Sequence, residues 1–301
     1  MINSCPLLSI ITPAFNEEQY IIEMIESVRA QFYANWELIV VDDGSSDRTA
    51  ELIQIQAKKD DRIRPVSLGV KLGKVAAFNL CFEQSRGDII CHIGADDLAM
   101  ANSFQSRVDA LEPFLEHKSV AFSKIEMFKD GASSDIRGTI IPRGPGGNRT
   151  GPGITMTRLL AETLFPIPES LPSEDIWLGK GALLSAEHVI EIPKPLVRYR
   201  INAGNSNPRH RPFKEMNSSI SARMEALPVL AENKKLSLSA EGTQKLRTEY
   251  DLELLRRERR TLSILVSRDS RLVDRLAVAS MSAPVLWRLR RIMYKHLSGW
   301  R

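Results

Sequence analysis

Cysteine is scarce in this chain. Among 301 residues only Cys5, Cys81 and Cys91 carry a thiol, odd in number, widely spaced and set in apolar contexts. This argues against a disulfide framework and a paired-cysteine metal site, and suits a reducing compartment. Long apolar runs are missing as well, since none approaches the ~18–20 residues of a membrane span. The N-terminus lacks a basic stretch followed by an apolar one ahead of a cleavage site, so the expectation is a protein that starts in the cytoplasm and stays there. The common phosphate-binding signatures are also absent. No GxxxxGK(S/T) occurs and no GxGxxG opens the first helix, which argues against P-loop and dinucleotide chemistry. No repeat of solenoid length appears.

What is present is ordinary in amount and uneven in arrangement. Apolar residues make up 43% and charged residues 26%, near the globular averages, so neither disorder nor a rod is indicated. The net charge of +4 hides an asymmetry: residues 1–208 hold 21 basic against 27 acidic side chains, and residues 209–301 hold 20 against 10. The two halves are expected to meet different partners.

From residue 7 to 128, short apolar runs alternate with turn residues and segments of helical period, the pattern of parallel strands with crossover helices. Strands are expected at residues 7–13, 37–42, 63–68, 88–93 and 120–128. Asn16, with Glu17 and Glu18, is expected to cap a helix whose apolar stripe is Ile21, Ile25, Val28 and Phe32. Residues 142–153, PRGPGGNRTGPG, contain five glycines and three prolines and read as a mobile loop or linker, one use of which is a lid over a substrate. A helix is expected near residues 155–164. Beyond about residue 212 the strand pattern stops, and Ser239 can cap a helix with Leu246, Tyr250 and Leu254 on one face.

In an open parallel sheet, ligands bind outside the carboxyl ends of the strands. Three such ends carry unusual polar groups: Thr12-Pro13-Ala14-Phe15-Asn16, Asp42-Asp43-Gly44-Ser45, and Gly94-Ala95-Asp96-Asp97. Each alone has a plain explanation, because Asp and Ser after a strand are common caps and turn formers. Two Asp-Asp pairs at neighbouring strand ends point further. Adjacent carboxylates suit a hard divalent cation, Mn²⁺ or Mg²⁺, which removes their mutual repulsion and keeps sites for phosphate oxygens.

With the run Ser9 to Glu18, the run Trp36 to Asp47, Gly73-Lys74 with Ala77 and Asn79, Asp96-Asp97, Ser173-Glu174-Asp175, and Pro195 to Arg200, the chain resembles a family-2 glycosyltransferase over about residues 6–207. The resemblance implies an α/β GT-A fold, Rossmann-like, with a mostly parallel central sheet and flanking helices. It implies a GT-A domain over residues 1–212 and, with the charge asymmetry, a basic helical extension over 213–301. Pro13, Ala14, Phe15 and Asp43 would line the nucleobase and ribose pocket, with Asp42 supporting the turn. Lys74 would meet the nucleotide or its diphosphate, Asp96 the ribose or sugar, and Arg200 the nucleotide sugar. Asp97 would hold the metal. Asp175 falls where the family places its catalytic base, with Glu174 beside it. A nucleotide-diphosphate sugar and a glycan or lipid-linked acceptor are the implied partners, and no nucleic acid is expected.

Two positions depart from the family pattern. Gly94 stands where many relatives have an acid, so the metal would rest mostly on Asp97. Asn202 stands where relatives often have His, and Asn202, Asn205 or Ser206 would supply neutral contacts instead. Rival readings are a sugar-phosphate nucleotidyltransferase, which would need a Gly-rich loop with Arg that Thr12 to Asn16 does not provide, and a non-catalytic nucleotide-sugar-binding or assembly protein. The tail, residues 284–301, contains no acid and repeats Val285, Leu289, Ile292, Met293 and Leu297 at helical spacing, with Trp287, Tyr294 and Trp300 among them. It reads as an amphipathic helix on the inner face of an anionic membrane, the alternative being a helix packed on the catalytic domain with a solvated basic face.

Overall fold

The computed structural model describes residues 5–129, 138–202 and 212–297. These fall into two compact units, one ending at Ile201 and the other beginning at Asn202. In the first unit, β1 (Leu8–Ala14), α1 (Ile21–Arg29), β2 (Trp36–Asp42), α2 (Thr49–Ala57), β3 (Ile63–Ser67), α3 (Lys74–Gln84) and β4 (Ile89–His92) follow one another as parallel strands and crossover helices. The short β5 (Leu98–Ala99), α4 (Ser103–Leu111), β6 (Ser119–Phe128), β7 (Thr139–Ile141), β8 (Ile154–Thr157), α5 (Arg158–Leu164), α6 (Asp175–Ser185) and β9 (His188–Arg200) complete it.

The sheet order is β3-β2-β1-β4-β8-β6-β9-β5, with β7 on β6. All seven residues of β2 are buried, as expected for a central strand covered on both faces. β8 runs antiparallel to both β4 and β6. Consequently β6 and its parallel partner β9 point the same way as β1 to β4, and their carboxyl ends share one edge of the sheet.

Four local expectations change. Residues 154–157 form a buried strand rather than the start of a helix, because Ile154-Thr155-Met156-Thr157 fills the gap between β4 and β6. Asn16 does not cap α1. It takes the left-handed conformation (φ 56°), its side chain accepts from Ser46 N at 2.9 Å, and its own N–H donates to Ser45 Oγ at 2.9 Å. The buried side of α1 is Ile21, Met24, Ile25 and Val28, while Phe32 lies beyond the helix and is exposed. The Gly/Pro stretch is laid along the sheet: Asn148 N donates to Ser123 O at 2.8 Å, and the buried Arg107 donates to Pro152 O at 2.8 Å.

The second unit is helical: α7 (Phe213–Met224), α8 (Ala226–Glu232), α9 (Ala240–Arg257), α10 (Thr261–Val266), α11 (Leu272–Ala279) and α12 (Pro284–Leu297). Ser239 caps α9 by accepting from Gly242 N at 3.0 Å. Its inner face is not the expected one, since Leu254 is exposed while Leu246, Leu252, Glu253 and Arg256 are buried. The two buried charges hold each other bidentately, at 2.6 Å for each contact, which is how such groups become tolerable away from water.

Candidate active site

The carboxyl ends of β1 and β2 are stitched together by their loops. Glu17 N donates to Thr49 Oγ1 at 2.8 Å and Arg48 N to a Glu18 carboxylate oxygen at 3.1 Å, so the loops after β1 and β2 are one hydrogen-bonded mesh. Asp42 accepts from Ser67 Oγ at 3.3 Å and from Ser45 N at 3.4 Å, tying the end of β2 to that of β3. Buried Asp43 accepts from Leu72 N at 2.6 Å and Gly73 N at 2.9 Å, which fixes the entry to α3. Gly44, at φ 71°, is required by close approach, because a Cβ there would meet Lys71 N at 2.6 Å.

Pro13 is half-buried and Ala14 buried at the end of β1. Phe15 is exposed, with Lys71 Nζ 2.9 Å from its ring centroid. Such an aromatic face suits a nucleobase, and Lys71 is a contact that the sequence did not single out.

Two charged groups gather beyond β4. In the first, Asp97 is buried, its N–H donates to Gly94 O at 3.0 Å, and its Oδ1 accepts from Arg200 N at 2.9 Å. Burial, then the neighbouring Asp96, pushes the Asp97 carboxyl well above the usual range, against the hydrogen bonds from Arg200 and Gly94. Arg200 arrives from β9, buried, donating to Asp96 O at 2.7 Å and to Glu23 at 2.6 Å, with Tyr20 and Phe128 rings on its guanidinium. Glu17 joins this group. Burial, then Asp96 and Asp47, lift it to about 7, with Arg200 opposing. Sequence reading treated Glu17 only as a helix cap, and nothing local marks its approach to Asp96.

Gly94 forms the floor beneath the aspartates. A Cβ there would come within 2.8 Å of Asp97 Oδ2 and 3.0 Å of Asp96 Oδ1, so two carboxylate oxygens converge above a residue with no side chain. This pair of carboxylates, all-oxygen donors at one strand end, fits a hard divalent cation. Another metal-capable group, His117, Glu187 and His188, has ligand atoms within 4.8 Å of one another. It lies where β6 and β9 begin, at the opposite edge of the sheet, and is no part of this site.

In the second group, Lys74 at the start of α3 meets Glu174 Oε1 at 3.0 Å. Glu174 is 1% exposed and its Oε2 has no hydrogen-bond partner. Burial, then Asp175, raises its carboxyl to about 7, with Lys74 opposing. Asp175 is half-buried at the first turn of α6. Asn79 braces the approach to this helix, exchanging hydrogen bonds of 2.9 and 2.7 Å with Ile167 O and N. His92, the last residue of β4, borders the same recess as Glu174, Asp175 and Gly151. Burial and Lys74 push its imidazole down to about 3, against Asp175, so it is neutral. Asn202 is half-buried, and Asn205 and Ser206 lie outside the described residues.

Against known proteins, residues 9–155 match the glycosyl transferase family 2 model. WfgD of Escherichia coli, a UDP-Glc:alpha-D-GlcNAc-diphosphoundecaprenol beta-1,3-glucosyltransferase, is 35% identical over 105 residues, 35% of this chain and 41% of that one. The chain spans about a third to a half of the length of the first curated relatives it matches. Among solved structures, S. aureus TarS 1–349 in complex with UDP-GlcNAc superposes with a TM-score of 0.63 at 16% identity, over 96% of this chain and 91% of that one. The mannosyltransferase PcManGT of Pyrobaculum calidifontis, in complex with GDP-Man and Mn²⁺, gives 0.59 at 14% identity, over 97% and 89%. The strand-end motifs, the sheet that aligns them and these likenesses place residues 9–155 in the glycosyl transferase family 2, on a GT-A fold.

Proposed function

We propose that the chain is an inverting glycosyltransferase that moves a sugar from a nucleotide-diphosphate donor to a glycan or lipid-linked acceptor, in the synthesis of a cell-envelope or extracellular polysaccharide. One observation carries this reading: the Asp96-Asp97 pair over Gly94 and the Lys74, Glu174 and Asp175 group both gather beyond β4, at the edge where the donor loops meet.

In this reading Phe15, Pro13 and Ala14 seat the nucleobase, Asp42 and Asp43 hold the surrounding loops, and Asp96 faces the ribose or sugar. Arg200 fixes the Asp96-Asp97 turn through Asp96 O and Asp97 Oδ1. Asp97, with Asp96, would hold Mn²⁺ or Mg²⁺, which supplies charge neutralisation to the departing diphosphate. Lys74, which meets Glu174, is the cationic side chain proposed to reach the nucleotide or its diphosphate. Asp175 is the base, taking the acceptor hydroxyl proton onto its carboxylate as that oxygen attacks the anomeric carbon. The half-exposed Asp175 can reach an acceptor, whereas Glu174 is buried and bound to Lys74, which gives it a supporting part. The lipid-linked acceptor and UDP donor in the name of WfgD, and the Mn²⁺ in the PcManGT complex, support the acceptor class and cation. The proposed location is cytoplasmic, resting peripherally on the inner face through residues 284–301; none of the helices among the described residues is long and apolar enough to cross a membrane.

The test is release of nucleoside diphosphate from a panel of UDP-, GDP- and dTDP-sugars with Mn²⁺ or Mg²⁺, with and without lipid-linked acceptors. Acceptor-dependent release that fails in Asp175→Asn supports the reading. Donor binding without turnover under every condition would instead favour the non-catalytic binding protein.

A further inference from the structure

The second unit carries a surface that glycosyl transfer does not explain. Its last three helices bury one side and expose another. Ile264 of α10 and Ala279 of α11 pack with Leu252 of α9, and Arg290 of α12 donates to Ser280 Oγ at 2.5 Å and Ala277 O at 3.3 Å. Away from those contacts each helix shows apolar side chains at helical spacing. On α10 these are Leu262 and Val266, 78% and 71% exposed. On α11 they are Val273 and Leu276, 73% and 52% exposed. On α12 they are Val285, Leu289 and Ile292, 67%, 52% and 53% exposed. Exposed apolar residues scattered singly are unremarkable, but a set recurring at helical spacing on each of three consecutive helices is more than scatter.

The charge identifies the occupant. Residues 261–297 hold seven basic side chains against Asp269 and Asp274, the latter paired with Arg271, and no acid follows Asp274. Arg268, Arg288 and Arg291 are exposed beside the apolar positions. A second copy would bring positive charge against positive charge. An anionic bilayer accepts both features, because the apolar side chains enter the acyl boundary while arginines meet lipid phosphates. The six-residue α10 and eight-residue α11 can only lie along such a surface.

We propose that α10, α11 and α12 together form a docking face for an anionic lipid bilayer, of which the tail helix is one third. For α12 this rests on the tail reading above, and for α10 and α11 it goes beyond it.

The experiment is co-sedimentation of the full chain with vesicles of phosphatidylcholine alone and of phosphatidylcholine with phosphatidylglycerol at about 7:3, with circular dichroism to confirm folding. The variants are Leu262→Ser with Val266→Ser, Val273→Ser with Leu276→Ser, and Leu289→Ser with Ile292→Ser. The full chain should bind only the anionic vesicles and detach at high salt, and each pair should lower partitioning on the order of tenfold. If only the α12 pair matters, the three-helix face is wrong and the tail reading stands. If the full chain ignores anionic vesicles, both are wrong. Equal binding to neutral vesicles, or self-association in sedimentation velocity that the same substitutions abolish, would also overturn the proposal. None of these readouts depends on transferase activity.

Discussion

Glu174→Gln tests whether the buried carboxylate beside the proposed base is held under electrostatic strain. Glu174 titrates near 7 in the folded chain, against an ordinary value of 4.5. Keeping it ionised at pH 8 therefore costs about 3 kcal/mol, at about 1.4 kcal/mol per pKa unit. The folded state binds more protons than the unfolded chain between these two values. Stability from this group is thus fully present below about 4.5 and is lost as pH rises through about 7. Glutamine removes the penalty, which already contains the opposing attraction of Lys74, and keeps a neutral contact to Lys74. The net expectation is a gain of about 3 kcal/mol at pH 8, or a Tm higher by roughly 6–12 °C, shrinking to under about 1 kcal/mol by pH 5. Thermal melts of both proteins from pH 5 to pH 8 measure it. A Tm difference that does not change with pH, or a variant less stable at pH 8, would refute the assignment of strain to Glu174.

Asp97→Asn should abolish cation-dependent release of nucleoside diphosphate while circular dichroism stays unchanged, and undiminished turnover would remove Asp97 from the site. Asp175→Asn should leave donor binding nearly intact but slow transfer by about 10²–10⁴, the usual range for loss of a general base, as read by single-turnover assays. Full activity in that variant would move the base to Glu174. Gly94→Ala should weaken cation-supported donor binding by at least about tenfold, since its methyl group displaces both aspartate carboxylates. Calorimetry with and without Mn²⁺ checks this, and an unchanged cation dependence would contradict the cradle.

Much of the first half was legible because its signals are local. Strands β1 to β4, their crossover helices and the acidic strand ends follow from apolar runs broken by turn residues. The strand at Ile154–Thr157 was not, because four residues carry no period of their own and become a strand only between β4 and β6. Contacts across great sequence distance were equally hidden. Lys74 meets Glu174 and Arg200 reaches Asp97, pairings that only the sheet order produces. Gly94 reads in sequence as a missing ligand, yet in the fold it is the space into which two carboxylates lean. On α9 hydrophobic spacing found buried Leu246 and half-buried Tyr250 but not the charged pair Glu253 and Arg256, which is buried where Leu254 was expected.

The hydrogen-bonded mesh joining the loops after β1 and β2 also bears on how this site can change over generations. Asn16, Ser45 and Ser46, and likewise Asp47 and Thr49, hold one another through side-chain to backbone bonds, so a substitution at one loosens the loop of another. Phe15 and Lys71 meet each other outside that mesh. If the proposed nucleobase seat is right, they are the pair at which a lineage could alter its choice of base one step at a time, with the scaffold beneath undisturbed.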